Sequence, residues 1–141
     1  MGASLVVVQA RPPTAPVMLS SMRGLVTNLN QYTLRYGRDF PNDFRRTLNQ
    51  RVRTLNQHFR DAETDRKLLT NANFLDTLAG TLSNLENILE RLLLQLVHLQ
   101  DPSPRTEGVT QNTEWIRQDL NDLLNLVREK RAVNRRARRR T

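Results

Sequence analysis

The longest periodic feature of the chain lies between Asn73 and Gln100, where leucine recurs at Leu75, Leu78, Leu82, Leu85, Leu89, Leu92, Leu96 and Leu99. The steps alternate three and four residues through four heptads, the seam of an amphipathic helix. Phe74, Ala79, Ile88 and Leu93 flank it and make the apolar face wider than a two-stranded zipper uses. A stripe that broad must be covered from several sides. The expectation is a central bundle helix about 42 Å long, with the eight leucines as the core or oligomer seam.

Shorter stripes flank it. Met18, Met22, Leu25, Leu29, Tyr32 and Tyr36 mark one face of a helix over 17–36. Gly24 weakens it by about 1 kcal/mol against alanine, and Gly37 is placed to end it in a left-handed cap. After a turn at 39–42, with Asp39 or Asn42 as cap, a second stripe runs through Phe44, Leu48, Val52, Leu55, Phe59 and Ala62. Within it Arg-Thr-Leu-Asn-Gln occurs at 46–50 and again at 53–57. The heptad shift stacks Arg46/Arg53, Asn49/Asn56 and Gln50/Gln57 on the outer side, as a solvated face or a ridge for a partner or a phosphate backbone.

The stripe ending at Ala62 and the one starting at Leu75 belong to heptad frames two residues apart, which turns their apolar faces about 200° from each other. A turn near 69–73, capped by Thr70, Asn71 or Asn73, resolves the conflict; a continuous helix is the alternative. Asp101–Gly108, DPSPRTEG, is expected to break the chain, since two prolines and a glycine oppose a helix through it. Ser103-Pro104 there fits a proline-directed phosphorylation site. A last helix is expected from Thr110–Thr113, burying Trp115, Ile116, Leu120, Leu123, Leu124 and Val127, with the sole tryptophan as a core anchor. The fold predicted is all-α: an antiparallel bundle of about four helices over 17–127, a flexible arm over 1–16 and a basic tail over 128–141.

Composition narrows the chemistry. The chain has 141 residues, no cysteine, 5% aromatic residues and a net charge of +8, which excludes disulfides and thiolate sites. No stretch reaches the 18 or so apolar residues of a membrane span, so no integral membrane association is expected. His58 and His98 lack metal-ligand spacing and are expected at a bundle surface or edge. Asp61, Glu63 and Asp65 lack the pattern of a calcium loop. Neither a phosphate-binding glycine loop nor a nucleophile elbow occurs, so no catalytic residue, metal or cofactor is predicted and the protein is read as a non-enzyme. Gly2 does not make a myristoylation signal, because Val6 stands where serine or threonine is wanted. Arg11 and Arg23 fit a mitochondrial presequence loosely, but Pro12, Pro13 and Pro16 oppose its helix.

The charge is concentrated at one end. Residues 1–127 hold 14 basic and 13 acidic side chains, whereas 128–141 hold eight basic and one acidic. Arg128, Lys130, Arg131, Arg135, Arg136, Arg138, Arg139 and Arg140 form a cationic strip suited to non-specific binding of nucleic acid through the phosphate backbone. Twenty of the 22 basic residues are arginine, whose planar fork matches phosphate; a GC-rich coding sequence gives the same bias. No aromatic residue interleaves with the strip, so the tail itself offers no base stacking. In organisation, a small helical core with an arginine-rich arm resembles several viral capsid and nucleocapsid proteins. The expected function is a self-associating, homo-oligomeric nucleic-acid binder, of the kind a virion or genome-packaging assembly uses. The alternative is a helical adaptor that binds a protein partner's helix, with the tail as a nuclear-import signal.

Overall fold

The computed structural model describes residues 13–98 and 104–140. Four helices follow in order: α1 Ala15–Tyr36, α2 Asn42–Thr64, α3 Ala72–His98 and α4 Pro104–Arg140, with short 3-10 turns at Gly37–Asp39 and Arg66–Thr70. They form an antiparallel bundle in which α1 packs on α2 and α4, and α3 packs on the same two. The core is mainly leucine and methionine. Met18, Met22, Leu25 and Leu29 of α1 meet Leu48 and Leu55 of α2, Leu75 to Leu89 of α3, and Leu120 to Val127 of α4.

The leucine seam behaves as its breadth requires. Leu75, Leu78, Leu82, Leu85 and Leu89 are fully buried and Leu92 nearly so. Leu96 is half-buried, and Leu99 lies outside the described residues. The flanking Ala79 and Leu93 are buried as well, so two neighbouring helices share the face and α3 is the element around which the core closes.

The turns show where local chemistry differs from expectation. Thr14 caps α1, its hydroxyl accepting from the Val17 amide at 3.4 Å, so the helix starts inside the arm expected over 1–16, with Pro16 in the first turn where a missing amide costs nothing; residues 1–12 lie outside the described residues. Gly37 is not a left-handed cap: with φ −57° and ψ −31° it stays right-handed and starts a 3-10 turn. That turn brings Phe40 back onto Tyr32 and Phe44 at ring distances of 5.5 and 5.4 Å. The N-cap of α2 is Pro41, without a side-chain bond, rather than Asp39 or Asn42. The break between α2 and α3 does exist. Asp65 accepts from the Lys67 amide and Asn71 from the Phe74 amide at 3.0 Å, so each turn is closed by its own side chain.

The break before α4 is shorter than expected. The sequence predicts a break over Asp101–Gly108 and a helix only from Thr110–Thr113, yet α4 begins at Pro104. Proline at a first helical position loses only an amide that would be unpaired there, and Gly108 is tolerated because Val109 and Thr113 beside it are buried. Arg105 pairs with Asp39 and links this first turn to the 3-10 turn that follows α1.

Candidate nucleic-acid interface

The cationic strip is helical and continuous with the core. Leu120, Leu123, Leu124 and Val127 are buried, and α4 carries straight past them to Arg140. Arginine is a good helix former, and cations near a helix C-terminus interact favourably with its dipole. Repulsion between Arg131 and Arg135 works the other way. Two tertiary contacts offset it. Arg131 Nη2 lies 2.7 Å from Asp76 Oδ1 of α3, and Asn134 Nδ2 donates to the Thr70 carbonyl at 2.8 Å.

These contacts divide the predicted phosphate-binding set. Arg131 is half-buried and ion-paired, so it anchors the helix. Arg128, Arg135 and Arg136 are exposed and Lys130 is half-buried, and none has an ion pair among the described residues. Arg138, Arg139 and Arg140 complete the last turn of α4; their side chains lie outside the described residues. Because α3 starts at Ala72 opposite Arg131 and Asn134, the six residues from Arg135 on continue about 9 Å beyond that contact. A cleft of about 210 Å³ opens there between Asn73, Asp76, Arg131 and Arg135.

At the other end of α4 stands a feature that the sequence reading placed wrongly. Trp115 is not a core anchor: it is 58% exposed. The buried stripe of α4 runs Val109, Thr113, Ile116, Leu120, Leu123 and Val127, and Trp115, one residue before Ile116, is turned 100° out of that frame. The spacing held this signal, but the size of the indole outweighed it. Trp115 borders a groove of about 280 Å³ between α1 and α4, shared with Gln31, Arg35, Tyr36, Asn112 and Asp119.

Hydrogen bonds fix the floor of the groove. The Tyr32 hydroxyl meets Thr113 Oγ1 in the interior, and burial pushes its pKa far above the ordinary phenol value, with the Thr113 hydrogen bond opposing. Asn112 Nδ2 donates to the Tyr36 hydroxyl at 3.0 Å and to the Gly108 carbonyl at 2.8 Å. Asn28 Nδ2 donates to Asp119 Oδ2 at 3.2 Å, and the Arg35 guanidinium lies 5.7 Å from the Tyr36 ring centroid.

The remaining polar candidates are dispersed. On α2, Arg46, Arg53, Gln50 and Gln57 are exposed, whereas Asn49 and Asn56 are half-buried. His58 sits at the α2–α3 edge, its Nε2 3.0 Å from Thr81 Oγ1; the side chain of His98 lies outside the described residues. Among the described residues no helix is long and apolar enough to cross a membrane. No family model, curated protein or solved structure matches the chain, so the chemistry of the site is argued from its geometry.

Proposed function

We propose that this protein is a non-enzymatic nucleic-acid binder whose helical bundle self-associates and whose α4 end engages phosphate without sequence preference. The observation that carries the reading is the rooting of the arginine strip: the helix that buries Leu120 to Val127 also presents Arg128, Arg135 and Arg136 to solvent. A strip held on a helix keeps its charges at fixed spacing, so neutralising phosphates releases counterions with little further ordering of the chain. The exposed Leu34 and Leu94 supply apolar surface for contact between copies, which a packaging or nucleoprotein component needs.

Binding of a labelled single-stranded oligonucleotide across a salt series tests the reading. If all eight cations of 128–141 engage, log K falls with log salt at a slope of about −6; retention of Arg131 on Asp76 brings it to about −5. Removal of 128–141 abolishes the steep slope. A chain that binds no oligonucleotide at low salt sinks the reading.

A further inference from the structure

We propose that the α1–α4 groove at Trp115 is a binding site for a single nucleobase, a second contact to single-stranded nucleic acid distinct from the arginine strip. The inference rests on the proposed binding of nucleic acid for its natural ligand, but its chemistry stands separately. An indole 58% exposed at the mouth of a groove offers a flat face on which any base stacks. Arg35 and Asp119 stand in the same groove and cancel in charge, so the group taken there is neutral, planar and hydrogen-bonding rather than ionic.

Donors and acceptors are provided for such a ring. The Gln31 carboxamide makes no side-chain hydrogen bond among the described residues and can turn to either pattern of a base edge. Asn112 spends its amide nitrogen on Tyr36 and Gly108, which leaves its Oδ1 as an acceptor. The volume of about 280 Å³ falls below the roughly 300–1,000 Å³ of sites that enclose a whole small molecule. One ring enters and the rest of the ligand stays outside, as for one base of a strand. A partner helix fits less well. Helix-in-groove docking needs apolar anchors at helical spacing, and the outer stripe of α4 around Trp115 continues as exposed Gln111, Gln118 and Asp122.

The groove and the strip lie on one rod. Trp115 and Arg135 are about 30 Å apart along α4, at most about nine nucleotides of a strand stacked at the 3.4 Å duplex spacing and within the site sizes of about 4–16 nucleotides known for single-strand binders. Exposed Asp122 lies between the groove and Arg128, the first cation of the strip, and repels phosphate, so groove and strip act as two subsites rather than one track.

Trp115 is the only tryptophan, so its emission reports the groove directly. The full chain is titrated with adenosine monophosphate and with a short single-stranded oligonucleotide. Saturable quenching by both is expected, with the mononucleotide response nearly independent of salt and weakened in Gln31→Ala. Trp115→Ala, an exposed substitution that leaves the helical circular-dichroism signal unchanged, lowers affinity for labelled oligonucleotide about 5- to 150-fold, the equivalent of ~1–3 kcal/mol per stacked base. Arg135→Ala with Arg136→Ala flattens the salt slope but keeps the mononucleotide quench. Unchanged emission while the strip binds oligonucleotide overturns the base site and leaves the strip standing. A shift that follows protein concentration and ignores nucleotide also overturns it, and makes Trp115 a contact between copies.

Discussion

Thr113 shows how one hydroxyl ties two helices through the core. Its Oγ1 donates to the Val109 carbonyl of its own helix at 2.6 Å, so its single proton is committed and the Tyr32 phenol must donate to it. Both side chains are buried. The two partners are therefore unequal. Thr113→Val leaves a buried phenol without an acceptor and should cost about 1–3 kcal/mol, whereas Tyr32→Phe removes only the net bond, about 0.5–1.5 kcal/mol. Urea denaturation of both single variants and the pair measures this, and the double variant should lie near Tyr32→Phe. Equal losses in the two single variants would contradict the assigned direction. Residue identity announced Tyr32 as a core position by its spacing. It did not announce Thr113, since threonine is common on helix surfaces and its partner lies 81 positions away.

At the scale of elements, α4 joins two stretches that differ in composition. Its first half is held by apolar packing and its last turns by Arg131–Asp76 and Asn134–Thr70. Asp76→Asn should release Arg131 into the repulsion of its neighbours. Amide hydrogen exchange of 131–137 is then expected to quicken, while exchange over Leu78–Leu89 of α3 stays unchanged. Equal protection in variant and parent would show that the dipole and propensity suffice to hold the last turns. The start of α4 carries a second lesson. Proline reads as a breaker in the interior of a helix and as a favourable first residue at its start, and composition alone does not say which position Pro104 occupies. Gly37 is similar. It can enter a left-handed cap, but the demand to bring Phe40 onto Tyr32 chose a right-handed turn.

For the molecule as a whole, charge and core are carried on the same four helices, and the half-buried edge at His58 makes one contribution to stability that depends on pH. His58 is packed edge-on to Phe74 at 5.8 Å and bonded to Thr81; burial lowers its pKa below the ordinary 6.5, with Asp61 opposing. The unfolded chain then binds the proton more tightly than the folded one. The contribution of His58 is complete above pH 6.5 and is lost as pH falls through that value towards the lower folded pKa. Between pH 7 and pH 5 the urea midpoint of the parent chain should fall by more than that of His58→Gln. An identical fall in both would place the acid sensitivity elsewhere.

The sequence by itself determined the number of helices, the seam of α3, the turn between α2 and α3 and the site of the excess charge. Each of these is written in short-range spacing, which a helix converts directly into a face. Tertiary structure alone decided that Arg131 is an anchor while Arg128, Arg135 and Arg136 face solvent, because Asp76 comes opposite it only when α3 and α4 run antiparallel. The phase of Trp115, one residue before Ile116, already put it outside the stripe, and the tertiary structure added the α1 wall that makes its place a groove. The bundle had room on α4 for one stripe, Ile116 took the place in phase with Thr113 and Leu120, and the larger side chain beside it was left at the edge of a groove that α1 completes.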